Sequence, residues 1–138
     1  MDYKLELVLL PVADIDRAKD FYVELCGFTL DVDHRAGESF RIVQMTPPGS
    51  ACSVTIGTGI IDTPPGSVRG LHLVVTDIVA ARDELVAGGV DVEPIFSFSR
   101  EGVRSDGPDP DRADYSSFAQ FRDPDGNGWL LQERGFAG

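Results

Sequence analysis

Two histidines, His34 and His72, and two cysteines, Cys26 and Cys52, are the side chains best suited to proton transfer or soft-metal binding near neutrality. His72 sits in the apolar run GLHLVV over 70–75, which reads as a strand. Imidazole suits general-base chemistry, so His72 is the candidate catalytic residue. Two further roles stay open to it: a ligand contact, or a structural bond to a neighbouring strand. A lone imidazole holds a metal poorly, because structural and catalytic sites need three or four converging donors. His34 lies in the charged stretch DVDHRAGES and reads as part of a solvated loop. The cysteines form no CxxC, and in a chain with a full-sized core they read as reduced, buried thiols. The run Asp123-Pro124-Asp125-Gly126-Asn127 has calcium-loop character, but an EF-hand spreads its ligands over about twelve residues. The run therefore reads as a turn.

The elements that must position these residues follow from periodicity. Residues 4–12 read as a buried strand. Asp14 can cap a helix whose apolar face is Ile15, Ala18, Phe21, Tyr22 and Leu25. Gly27 ends it. Strands follow at 28–33, 39–46 and 51–56, with a turn at Pro47-Pro48-Gly49. After a linker over 58–68 the order repeats. A strand spans 70–76, and Asp77 caps a helix carrying Ile78, Ala81, Leu85 and Val86. Gly88-Gly89 stops it, and strands follow at 90–96, 118–121 and 129–133. The polar segment 99–116 reads as a lid or a disordered loop. At an offset of 63 residues Asp14 meets Asp77, Ala18 meets Ala81, Lys19 meets Arg82 and Asp20 meets Asp83. The pattern points to an internal duplication, with module one over 4–57 and module two over 69–134 in a single domain.

A chain of 138 residues with 42% hydrophobic content suits one core. The net charge of −11 argues against nucleic acid and anionic membrane as partners. No signal peptide or membrane span is evident, which leads to the expectation of a cytoplasmic protein.

The stretches LPVADIDRAKDFYVELCGF, GLHLVVTDIVAARDELVAGGVDV and FRDPDGNGWLLQE resemble the vicinal oxygen chelate superfamily, the group of glyoxalases, bleomycin-resistance proteins and dioxygenases. The resemblance covers nearly the whole chain. It implies an α+β fold in which two βαβββ modules form one curled, eight-stranded mixed sheet around a cavity, with the helices on its convex side. It also implies a homodimer and, in many members, one divalent metal held by His, Glu or Gln from four strands.

Carried over by position, those four ligands fall on Leu7, Ser53, Gly70 and Leu130. None of these is a competent ligand for a divalent ion, so no metal or other cofactor is expected. Strand alternation places Leu9, Thr55, His72 and Gln132 in a second row on the same face. Phe40 and Phe98 are expected at the cavity mouth, and Trp129 against a helix. The leading expectation is a metal-independent binding protein for a small apolar or aromatic ligand, such as an antibiotic, held by Leu7, Leu9, Phe40, Ser53, Thr55, His72, Phe98, Leu130 and Gln132. The alternative is a glyoxalase-like lyase or isomerase, or a dioxygenase, working through a divalent metal or His72.

Overall fold

The computed structural model describes residues 1–138 and contains nine strands and two α-helices. The chain divides into two compact units. One holds Met1–Val68 with Asp123–Asn127, and the other holds Arg69–Arg122 with Gly128–Gly138.

The first unit contains β1 (Leu7–Leu9), α1 (Ile15–Asp20), β2 (Thr29–Arg35), β3 (Arg41–Thr46) and β4 (Ser53–Thr58). Its sheet has the order β1-β4-β3-β2, with β1 parallel to β4 and the remaining pairs antiparallel. Asp14 caps α1 by accepting from the Arg17 amide at 3.1 Å, as its position in the sequence predicts. The expected single helix changes pitch partway. Phe21–Leu25 is π-helical, with the Cys26 amide donating to the Phe21 carbonyl. Phe21 and Tyr22 are both buried, and their rings meet edge to face at 5.1 Å. Leu10, Ala18, Phe28, Val43, Met45, Val54 and Ile56 complete this core.

The second unit contains β5 (Leu71–Val75), α2 (Ile78–Ala87), β6 (Phe96–Phe98), β7 (Arg104–Asp106), β8 (Ser117–Arg122) and β9 (Gly128–Glu133). Its order is β5-β9-β8-β6-β7, and β5 is parallel to β9 as β1 is to β4. The repeated order of strand, helix and strands is therefore matched by a repeated pairing. Asp77 caps α2 through the Ala80 amide at 3.1 Å. The buried face carries Ala119, Phe121, Trp129 and Leu131, with Phe121 and Trp129 stacked at 6.1 Å.

The α+β class and the mixed sheets agree with expectation, whereas the strands form two sheets of four and five rather than one of eight. The added strand is β7, inside the segment read as lid or disorder, where it forms a hairpin with β6. The strand expected over 90–96 is reduced to a single bridge from Val92 to Phe121, and regular pairing begins at Phe96. Pro94 explains the delay, since it cannot donate to a ladder. His34 lies on β2 rather than in a loop, and it is exposed there.

Two buried carboxylates organise the units. In the first, Asp123 Oδ1 accepts from the amides of Asp125, Gly126 and Asn127, and Oδ2 accepts from Tyr22 Oη at 2.7 Å and Asn127 Nδ2 at 2.8 Å. Asn127 Nδ2 also donates to the Pro11 carbonyl, and Gly66 packs so closely on Asp125 that a Cβ would lie 1.9 Å from its carbonyl oxygen. In the second, Glu133 accepts from the Ile78 amide at the start of α2 and from Arg112, at 2.8 Å through Nε and 2.5 Å through Nη2. Arg112 holds a left-handed backbone, φ 51°, to make this pair. The Arg112 guanidinium keeps the Glu133 carboxyl below its ordinary value of 4.5. A depressed folded value means the stabilisation is full above the unfolded value and is lost as pH falls through the folded one. Glu133→Gln should therefore cost about 1.5–3 kcal/mol at pH 7 by urea unfolding, the range of hydrogen bonds to a charged group. The gap to wild type should narrow below pH 4.5; an equal gap down to about pH 3 would contradict the pairing.

Candidate functional site

Directly paired residues in neighbouring strands project to the same side of a sheet, and so do residues two apart along a strand. Applied to the second sheet, this rule assembles one face from three rows. His72, Leu130 and Gln120 form the first. Val74, Gln132, Phe118, Phe96 and Asp106 form the second. Phe98 and Arg104 form the third. The opposite face is the buried one that carries Trp129, Leu131 and Phe121.

The open face is aromatic at one end and polar at the other. Phe96 stacks on Phe118 with centroids 5.5 Å apart, and Phe98 meets both rings edge to face at 5.8 and 6.0 Å. Arg104 lies over Phe96 at 3.9 Å, a cation–π contact. Phe98 remains 38% exposed. His72 is exposed, and its Nδ1 lies 2.8 Å from the Gly70 carbonyl. Gln132 donates to the Tyr115 carbonyl at 3.2 Å, and the left-handed backbone of Tyr115, φ 65°, presents that carbonyl.

The other expected site residues lie in the first unit. Leu7 pairs with Ser53 and Leu9 with Thr55, so these four share one face of the first sheet as the strand alternation implied. Leu7 and Leu9 are 44% and 36% exposed, while Ser53 and Thr55 are buried. Ser53 shares a hydrogen bond with Thr46 at 2.6 Å, and Thr46 in turn bonds Asp31. Thr55 Oγ1 is buried without a partner. Phe40 lies immediately before β3. It lines a shallow pocket of ≈ 390 Å³ with Asp14, Asp16, Glu38, Arg35 and Arg41. Arg41 is buried there and donates to Asp33 and Asp16, which holds the Asp33 carboxyl well below the usual carboxylate range and lowers that of Asp16.

The register also corrects the rows inferred for module two. His72 pairs with Leu130, and Val74 pairs with Gln132, whereas the positions carried over from the family grouped Gly70 with Leu130 and His72 with Gln132. The strand-to-helix connections differ. In the first unit β1 ends at Leu9 and Pro11 lies before Asp14; in the second β5 runs on to Val75, leaving only Thr76 before Asp77. A fixed count from the cap therefore lands on a different register in each unit.

Metal chemistry makes specific demands on these positions. The paired positions are Leu7 with Ser53 and His72 with Leu130, which together offer one imidazole and one hydroxyl. No group of three or more His, Cys, Asp or Glu side chains gathers anywhere in the chain. The donor set does not fit a divalent ion of the family type. Burial, with the Asp123 charge adding to it, pushes the Cys26 thiol up to about 12, so it stays neutral and is a poor nucleophile.

Phe96, Phe118, Gln120 and Arg104 were not singled out from the sequence. The alternation FSF over 96–98 and SFAQF over 117–121 was the available signal.

Comparison with known proteins agrees with this architecture. The Glyoxalase/Bleomycin resistance protein/Dioxygenase superfamily matches residues 4–131. TnmS3, an antibiotic binding protein from Streptomyces sp. CB03234, is 34% identical, with 96% of each chain covered and a TM-score of 0.72. A glyoxalase/bleomycin resistance protein from the same Streptomyces is 35% identical over 94% of this chain and 99% of its own, with a TM-score of 0.69. The uncharacterized protein YetH of Bacillus subtilis (strain 168) is 27% identical over 91% of this chain and 94% of its own. This chain belongs to the Glyoxalase/Bleomycin resistance protein/Dioxygenase superfamily.

Proposed function

We propose that this protein binds a small aromatic molecule on the open face of its second sheet, without a metal, and acts by sequestering it. The observation that carries this reading is the group Phe96, Phe98 and Phe118 on one face with His72, Leu130, Gln120 and Gln132. Ligand sites are mostly apolar with a few placed polar groups, and this face has that composition. Aromatic faces take flat ligands by offset stacking or edge contact. The likeness to TnmS3 supports an antibiotic as the ligand. The enzyme reading draws no comparable support. His72 Nδ1 faces a backbone carbonyl rather than a carboxylate, and no nucleophile lies in its rows.

The test uses the purified full-length protein. After incubation with Mn, Fe, Ni, Co and Zn and desalting, metal should be near zero per chain. Neutral fused-ring aromatics should raise Tm equally with and without EDTA. Phe98→Ala should weaken the best of them about tenfold. One metal per chain, or a Tm gain that EDTA abolishes, would contradict the reading.

The protein also pairs with a second copy in this reading. Met1, Tyr3 and Leu5 are 103%, 92% and 75% exposed, they alternate with Asp2, Lys4 and Glu6 in the sequence, and they lead into the exposed Leu7 and Leu9. An exposed apolar stripe of this kind marks an interaction surface. Light scattering should give twice the chain mass of 14.9 kDa. A monomer that Leu5→Asp leaves unchanged would contradict the pairing.

A further inference from the structure

We infer that the ligand of the second sheet is a neutral hydroxyarene whose hydroxyl donates to Nε2 of His72; this rests on the reading of that face as a ligand site. The tautomer comes first. Nδ1 of His72 lies 2.8 Å from the carbonyl oxygen of Gly70. A carbonyl oxygen only accepts, so in the neutral ring Nδ1 carries the hydrogen and Nε2 holds a lone pair. No group of the chain donates to that lone pair. Gly70 sets this arrangement through a left-handed backbone, φ +80°, which a side chain would strain.

The rest of the row defines what meets that acceptor. Leu130 pairs with His72 on one side and Gln120 on the other. Adjacent strands are about 4.8 Å apart, so His72 and Gln120 lie roughly 10 Å from each other with hydrocarbon between them. The Gln120 amide has no intramolecular partner and offers both a donor and an acceptor. One residue pair along the strands, Phe118 begins the aromatic cluster. The surface thus runs from an acceptor, across an apolar strip, to an amide, and it borders three rings. A flat ring system with an O–H at one edge matches it.

Charge selects the neutral form. The chain carries −11, which disfavours an anion, and no cation lies in the row of His72. Arg104 lies at the far edge, over Phe96. A cationic ligand would need a carboxylate near His72, and the one acid in these rows, Asp106, sits on the edge strand β7.

Equilibrium dialysis of the full-length protein with 2-naphthol and with 2-methoxynaphthalene tests this directly. The two probes share a ring system, and only the first can donate. Wild type should bind 2-naphthol about three- to tenfold more tightly, the discrimination of one neutral hydrogen bond. His72→Phe keeps a ring at an exposed position and removes the acceptor, and it should bind both probes equally. Equal binding by wild type, or a preference that survives in His72→Phe, would overturn the inference and leave the aromatic-face reading standing. Saturable binding of neither probe to wild type would overturn both.

Discussion

A buried carboxylate without a counter-cation is tolerable only when donors surround it, and Asp123 has five hydrogen bonds to its two oxygens. Three come from its own turn and close it. Tyr22 supplies the fourth from the π-helical segment, and Asn127 supplies the fifth while its amide also holds the Pro11 carbonyl. The turn is thus fixed, and the hairpin that it joins inherits that fixity. Arg122 pairs with Gly128, and every later pair of β8 and β9 follows. A slip of β9 by one residue against β8 would carry Leu130 and Gln132 to the buried side and bring Trp129 and Leu131 out. The composition of the aromatic face therefore depends on a carboxylate that does not belong to it.

The two sheets show how one plan can carry two chemistries. Each pairs its first strand in parallel with its last. On the first, the side of β3 and β4 that carries the polar residues holds Gln44 and Thr46, half-buried, and Ser53 and Thr55, buried, with Asp31 bonded to Thr46. On the second, the equivalent side presents phenylalanines, a leucine, two glutamines and one imidazole. Neither set gathers the donors of a divalent metal site, and the second has the balance of apolar area and sparse polar groups that organic ligands need.

Legibility in the sequence followed the range of the interaction. Asp14 and Asp77 were readable as caps because capping acts over three residues. The duplicated order was readable because apolar periodicity is local. The π-helical turn at Phe21 was not, since it reflects burial of two adjacent rings by residues distant in sequence. The strand set at 4–12 shrinks to Leu7–Leu9 because β4, its partner, starts at Ser53, opposite Leu7. Leu7, Leu9, Ser53 and Thr55 were placed together correctly on one face, whereas His72 was set beside the wrong partner. Strand register depends on pairing across nearly sixty residues, and no cap encodes it. Phe40 was expected at a cavity mouth from its type alone, and it lines a pocket that also holds the Arg41–Asp16 ion pair. Phe96 and Phe118 were not singled out from the sequence, and strand pairing is what puts them on the side away from Phe121.

If the aromatic face of the second sheet is the ligand site, amide chemical-shift mapping of the labelled protein during titration with a neutral fused-ring aromatic should give saturable shifts at His72, Gln120, Leu130, Phe118 and Phe98. Shifts confined to residues 13–16 and 35–41 around the Phe40 pocket would contradict it and move the site to that pocket.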